Sequence, residues 1–526
     1  MIPKSNHDPL WSHTETMGAL HAARALVPQA LDQVRQLLYA IHGVDYSSEF
    51  LLLVHGFWAE HLCHDVVFHA RSETEVNHTS QSAKVFVVPK SKPKYPQSVT
   101  TALSRGDVIR GLATSSLNTQ DISLVMERDP YGAMSLRSRL RGVTERLVRN
   151  DKASIWICHP YTFETPLRRA QTALRTRETM VWSDDVSIRE LEASLNESLR
   201  KSLAGSMSVV SHETLVRALV PLVIPTDLAE DLQQLENQVR SQPQRPLRLM
   251  YTANAQHYHL QFKIAAAFAK QTGVKLLVHQ HGGGYGIDEM HAGEFYDRAI
   301  ADRFYTFGWT DEANSTNVTP LVAPVRGVRQ SDSHNFLLIS VDYTKEFFRF
   351  QSFCMPGHAE ACLNETKLFL GELHESTTIH LRLSPELPLP IKELESARCQ
   401  VVQTHPSRSG SELAAHSRLV IHNYLGTSWL ETLAMNIPTV CFYDPVMYRP
   451  RAAAQPFVDA LAKVGVIHYS GIEAAKFVNG LNGDPSAWWQ SAEVQEAREA
   501  FVARYANFSE NWLPAWIEEF ERLLAE

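Results

Sequence analysis

RLVIHNYLGTSWLETLAMNIPTVCFYD, residues 418–444, carries the signal from which the architecture of this chain is read. A short, largely β-branched run (Leu419, Val420, Ile421) enters a small polar turn at 423–428 and continues as a helix over 429–435. Asn436 and Pro438 stop the helix, and a second buried-strand pattern follows at 439–442. Strand, turn, helix, strand is one βαβ unit of a parallel sheet, with its turn at the carboxyl end of a strand. Open α/β sheets bind ligands at such ends, and a helix N-terminus offers free N–H groups to an anion. Gly426, Thr427 and Ser428 suit the phosphates of a nucleotide-linked donor; Glu431, one turn into the helix, suits a ribose hydroxyl. A purely structural reading is also open, because Ser428-x-x-Glu431 matches a capping box.

Working outward, the same alternation appears on both sides. Upstream, strands are expected at 247–252, 274–278 and 303–307, with a helix at 260–272 capped by Gly273. Downstream of a polar stretch at 311–334 come strands at 336–341, 377–383, 400–403 and 466–469 and helices at 356–373, 492–505 and 512–524. Residues 1–80 read as mostly helical, with Leu31, Val34, Leu37, Leu38 and Ile41 on one face and Gly43 as the stop; 49–69 reads as a second, buried helix. Short strands are expected at 84–88 and 154–158, and the region 100–150 reads as weakly patterned helix and loop. The fold expected is α/β: two facing Rossmann-like, doubly wound parallel-sheet domains with a largely helical N-terminal region. The domains expected are an acceptor-side domain over 1–325, its Rossmann-like core including 247–310, a nucleotide-donor domain over 330–500, and a C-terminal helix over 501–526.

A second constellation is HQHGGGYG, residues 279–286, between a strand and an expected helix. Gly282, Gly283 and Gly284 allow backbone to approach a ligand or another segment closely. The spacing fits neither a dinucleotide fingerprint nor a P-loop. His281 would stand at the strand's carboxyl end, where an imidazole is a suitable general base; a histidine that merely bonds its own loop is the competing reading. A third place is Arg382, at the end of the 377–383 strand, where a guanidinium can grip phosphate.

Composition narrows the class. The chain has 526 residues, 44% hydrophobic and 21% charged, and a net charge of −8, which suits a globular protein and argues against nucleic-acid binding through its whole surface. An arginine run, Arg137 to Arg177, suggests a solvated face or contact with an acidic acceptor or anionic headgroups. Six scattered cysteines without metal-finger spacing fit a reducing compartment. The first residues have no signal-peptide core, so the location expected is the cytoplasm or the inner face of the plasma membrane.

Taken together, YTANAQHYHLQFK (251–263), VHQHGGGYG (278–286), ADRFYTFGW (301–309) and IHNYLGTSWLETLAMNIPTVCFYD (421–444) resemble a group of transferases of bacterial surface-polysaccharide and O-antigen loci. More distantly the pattern is similar to CDP-glycerol glycerophosphotransferases and capsule Kdo transferases, which have the two-Rossmann GT-B architecture. The resemblance makes His281 the general base, flanked by Gln280, Gly282, Gly283, Gly284, Tyr285 and Gly286, with His279 or Asp288 as substitutes. It places donor phosphate on Arg382, although Ser384 stands where those relatives have histidine, and on the 422–428 turn, where His422 or Asn423 replaces their acidic residue.

The function these readings imply is metal-independent glycosyl transfer, without a cofactor, from a CMP-, CDP- or UDP-linked donor to a glycan, lipid-linked or protein acceptor. Two alternatives stay open: a nucleotide-sugar epimerase, drawing on Asp288, Glu289, Asp342 and Glu346, and a non-catalytic binding component of a polysaccharide assembly.

Overall fold

The computed structural model describes residues 11–71, 85–88, 123–126, 153–160, 179–182, 195–205, 211–242, 245–311, 317–325, 335–340, 357–382, 394, 400–403 and 410–526. Asp342, Glu346, Ser384 and the run Arg137 to Arg177 lie outside these residues.

The chain opens with a long helical hairpin. Helix α1 (His13–His42) starts at Ser12, whose side chain forms a reciprocal capping box with Glu15, and ends at Gly43, whose φ of 68° permits the left-handed turn. Its Leu20, Val27, Val34, Leu37 and Leu38 are buried against α2 (Ser48–Arg71), which is buried nearly all round and packs in turn on α3 (His212–Val223). The apolar run of α2 is what allows a helix to sit between two layers. Strands β1 (Val85–Val88) and β2 (Ser123–Met126) pair in parallel, so four residues of the region read as helix and loop are strand.

Two six-stranded parallel sheets follow. The first runs β4-β3-β5-β6-β7-β8, with β3 (Ala153–Cys158), β4 (Thr179–Trp182), β5 (Leu249–Thr252), β6 (Lys275–His279), β7 (Arg303–Thr306) and β8 (Val318–Pro320). It recruits two strands from before residue 200, which a core read mainly from 247–310 does not include. Helices α4 (Leu260–Gln271) and α5 (Gly293–Ile300) supply its crossovers. A two-residue strand, β9 (Ala323–Pro324), leads to the second sheet, ordered β12-β11-β10-β13-β14-β15. Its strands are β10 (Asn335–Ile339), β11 (Thr378–Arg382), β12 (Gln400–Gln403), β13 (Ser417–His422), β14 (Thr439–Phe442) and β15 (Ile467–His468). The helix between β13 and β14, α6 (Thr427–Ala434), completes the βαβ unit expected from the sequence.

The chain then returns. Helix α7 (Ala492–Tyr505) packs on α6, β16 (Phe508–Ser509) pairs with β9, and α8 (Leu513–Ala525) lies on the first sheet. Trp512, Trp516, Phe520 and Leu523 of α8 cover Ile155, Leu249, Tyr251, Leu277 and Tyr305. The result is the α/β, two-Rossmann architecture, with a helical N-terminal hairpin and a C-terminal helix crossing back to the first domain. The described cysteines, Cys63, Cys158, Cys362 and Cys441, are free and buried. Among the described residues no helix is long and apolar enough to cross a membrane.

Candidate functional site

The carboxyl ends of β6 and β13 meet. After β6 the chain turns through 280–286, and the turn leans on the start of α6. Gly283 N–H donates to Thr427 Oγ1 at 3.0 Å. A side chain on Gly283 would meet Gly426 C at 2.5 Å and Thr427 N at 2.9 Å, so only glycine allows this backbone-to-backbone approach. Gly284 and Gly286 have φ of 89° and 70°, and Gly286 sits on the face of Trp309. Gln280 is buried and staples the turn: its amide donates to Gly282 O at 2.9 Å and accepts from Phe307 N–H and Trp309 Nε1–H.

At the second sheet, Gly426 is the N-cap of α6 and makes no side-chain cap bond. Ser428 therefore lies inside the helix, and the capping-box reading of Ser428 and Glu431 does not hold. Ser428 Oγ is buried without a hydrogen-bond partner beside free N–H groups at the helix start, which is where an anion is stabilised. Glu431, buried, lies one turn on along the same face. Arg382 stands half-buried at the end of β11, alongside Ile339 of β10, whose other neighbour is His422. The carboxyl edge thus gathers Arg382, Ser340, Asn423 and the 426–428 turn.

Several expected residues take other places. His279 is fully buried among Tyr305, Phe307 and Trp516, its Nδ1 paired with Tyr251 Oη at 2.7 Å; burial pushes its pKa down to about 3. It serves the core and does not face the cleft: it is the last residue of β6, and its side chain enters the aromatic layer under α8. His422 is likewise fully buried, bonded to Thr432 Oγ1 and pushed down to about 3 by burial, so it holds α6 to its sheet and is not a donor ligand. Asn423 ties elements together, donating to Ser340 Oγ and Thr366 Oγ1. Asp288 accepts from Met290 N–H, and burial, opposed by the Arg451 charge, pushes its carboxyl up to about 7.

The structure also places two groups whose roles the sequence reading missed. Asp297 of α5 is fully buried beneath His281. Its Oδ1 accepts from His257 Nε2 at 2.7 Å and Gln256 Nε2 at 3.0 Å; its Oδ2 accepts from Tyr285 Oη at 2.7 Å. Tyr285 Oη also lies 3.2 Å from His281 Nδ1, and the His257 and His281 rings are 4.9 Å apart. Burial works against the Asp297 charge, but His257, His281 and the Tyr285 hydrogen bond outweigh it and hold the carboxyl below its usual range. The signal was in reach, since His257 follows the end of β5 within the HYH of 257–259; the asparagine-, glutamine- and aromatic-rich setting gave no spacing to single it out.

Among the described residues two clusters have metal-ligand chemistry: Cys158, His159 and His259, and His257, His281 and Asp297, the ligand atoms of each within 4.8 Å of one another. In the first, His259 Nδ1 already accepts the Phe262 N–H. The second is a hydrogen-bonded network whose facing atoms already serve one another.

The two domains are also fastened beside this site. Arg451, in the loop after β14, grips Glu294 with two hydrogen bonds of 2.9 and 2.8 Å, and Arg451 N–H donates to Ile287 O. Glu294 in turn accepts the Gly286 N–H at 2.9 Å, so the interdomain clasp shares a residue with the histidine turn.

In fold comparisons the chain is similar to Phytolacca americana UGT2, solved with UDP-2-fluoro-glucose and pterostilbene (14% identity, 71% of this chain and 100% of that one, TM-score 0.38). It is similar also to the glycosyltransferase SnogD of Streptomyces nogalater (14%, 72% and 100%, TM-score 0.38) and to Acinetobacter baumannii MurG (10%, 70% and 99%, TM-score 0.36). No curated protein matches it in sequence. The LIC12162 family transferase pattern matches residues 7–520, taking in both sheets, the helical hairpin and the cleft residues between them, and the chain belongs to that family of transferases.

Proposed function

We propose that this transferase moves a sugar, or a related group, from a nucleotide-activated donor to an acceptor hydroxyl, as the resemblance to surface-polysaccharide enzymes implies. The observation that carries the reading is the contact between the two turns: the loop of His281 rests on the helix start that suits phosphate, with Gly283 N–H on Thr427 Oγ1 at 3.0 Å. On this reading the base and the anion site would serve one substrate.

In this reaction the acceptor O–H proton passes to His281 while its oxygen bonds to the anomeric carbon. The bond from that carbon to phosphate oxygen breaks, and the nucleotide leaves as an anion. The α6 N–H groups, the Ser428 hydroxyl and Arg382 would stabilise the charge on the leaving phosphate, in place of a metal ion. Glu431 would hold the ribose. The donor is expected to be CMP-, CDP- or UDP-linked, and the acceptor a glycan, a lipid-linked sugar or a protein.

The test is a thermal-shift screen of the whole chain against CMP, CDP, UDP, GDP and their sugar conjugates, with Mg²⁺ and with EDTA. A ligand at a hundred times its Kd stabilises the native state by about 2.7 kcal/mol. One nucleotide should raise the melting temperature equally in both conditions, and Ser428→Ala should lose that shift. His281→Ala should keep the shift while turnover falls on the order of 10²- to 10⁴-fold, the usual share of a general base. A His281→Ala enzyme as active as the parent would overturn the assignment.

A further inference from the structure

We propose that His281 is set as a base by a buried relay, in which its Nδ1–H donates to Tyr285 Oη, Tyr285 donates to Asp297, and His257 fixes Asp297 from the other side. This deepens the reading above and rests on it for the role of His281. The argument is one of proton count. A tyrosine hydroxyl has a single proton, and an ionised carboxylate only accepts. Tyr285 Oη lies 2.7 Å from Asp297 Oδ2 and 3.2 Å from His281 Nδ1, so its proton goes to the carboxylate and its lone pair faces the imidazole. His281 must then carry hydrogen on Nδ1, which leaves Nε2 as the acceptor nitrogen. The tautomer a base needs is thus dictated two bonds away, as an orienting carboxylate does for a directly bonded histidine.

The relay sets a carboxylate and an imidazole together in the interior. Asp297 and His257 are fully buried, and His257 Nδ1 has no hydrogen-bond partner. A buried polar atom left unpaired costs about 1–3 kcal/mol. Either proton state of His257 leaves that nitrogen unsatisfied, so its role here is to aim Nε2 at Asp297. The charged and titratable groups around the relay include Glu60 and His61 of α2, Tyr258 after β5, His291, Glu294 and Tyr296 of the 287–296 segment, and Arg451 of the second domain. Once His281 takes the acceptor's proton, the imidazolium stands beside the Tyr285–Asp297 pair, and the carboxylate offsets the new charge without itself being protonated.

The test has a readout that needs no substrate. Histidine-selective ¹⁵N labelling of the full chain, with His281→Ala to assign the signals, reports which ring nitrogen of His281 holds hydrogen. The parent should show hydrogen on Nδ1, and Tyr285→Phe, which keeps the ring and removes the hydroxyl, should lose that preference. With UDP-glucose, CDP-glycerol, GDP-mannose and a CMP-linked sugar as donors, nucleotide release by Tyr285→Phe and Asp297→Asn should fall roughly ten- to a hundredfold in kcat with donor KM unchanged, since these groups act through the base. The acidic limb of the pH–kcat profile should move to lower pH in both. Hydrogen on Nε2 in the parent, or Tyr285→Phe with the parent's tautomer and pH profile, would overturn the relay. A His281 signal shifted by stoichiometric Zn²⁺ would make the cluster a metal site and overturn it as well. The relay tautomer together with full activity in His281→Ala would instead sink the base assignment and leave the hydrogen-bond chain standing.

Discussion

Glycines at the meeting of the two turns separate close approach from mere proximity. An added methyl at Gly283 meets backbone, Gly426 C at 2.5 Å, which has no rotamer by which to yield. At Gly282 it meets only Thr427 Oγ1, at 3.0 Å, a hydroxyl that turns on one bond. Gly283→Ala should therefore cost about 1–3 kcal/mol as overpacking and push the histidine turn off α6, while Gly282→Ala should cost less than half as much. Melting temperatures and nucleotide release of the pair decide it; equal effects would mean that the turn moves freely. The sequence showed that three glycines permit close contact, but not which of them makes it, because the partner lies 143 residues further along the chain.

At the scale of elements, periodicity served well wherever a segment is long or carries its own stops. The helix over Ala492–Tyr505 and the strands Gln400–Gln403 and Thr439–Phe442 lie where the sequence pattern puts them. Short strands such as Ser123–Met126, Thr179–Trp182 and Val318–Pro320 were not legible, since three or four residues hold too little alternation and gain strand geometry only by pairing. Helix α8 reads as a terminal amphipathic helix, yet its partner sheet is the first one, across the whole second domain. Trp516 is its anchor, with Nε1–H donating to Val322 O at 2.8 Å and its ring 5.0 Å from that of Tyr251. Trp516→Ala should cost about 3–5 kcal/mol, read by denaturant unfolding, and should weaken the sheet that carries His281. A loss below 1 kcal/mol would show that α8 is only an appendage.

For the whole molecule, buried histidines set the response to acid. Burial pushes His55, His61, His279 and His422 down to about 3, and His64, His291 and His358 to about 4. Below pH 6.5 the unfolded chain protonates these seven while the folded chain keeps them neutral, so unfolding takes up protons and stability falls with pH. Glu60 and Asp288, pushed up to about 8 and about 7, act in the opposite sense above pH 4.5, since the folded chain holds those protons and the unfolded chain releases them. The histidines outnumber these two carboxyls, so on balance unfolding takes up protons and stability falls as pH drops from 6.5 toward 4.5. The stability these histidines confer is thus complete above pH 6.5 and lost as pH falls toward 4. The melting temperature should be flat from pH 7 to 8 and drop by more than 10 °C by pH 5.5; a flat profile down to pH 5 would refute the buried neutral histidines.

What the sequence determined by itself is local: strand–turn–helix order, the stops at Gly43 and Pro438, the expectation of two Rossmann-like sheets, and the two turns at strand ends. These follow from backbone sterics and from the spacing of apolar residues, which act within a dozen positions. Only the tertiary structure decided which side chains those turns bring together. His279 and His281 differ by two residues, yet the first is locked in an aromatic core and the second stands at the cleft, because the strand ends between them. Asp297, Tyr285 and His257 became one network because α5 and the turn after β5 pack against the same histidine loop. The capping box that Ser428 and Glu431 promised gave way to a cap at Gly426, the residue against which Gly283 packs. Hydrogen bonds and buried charge depend on distances across the chain, and folding alone sets those distances.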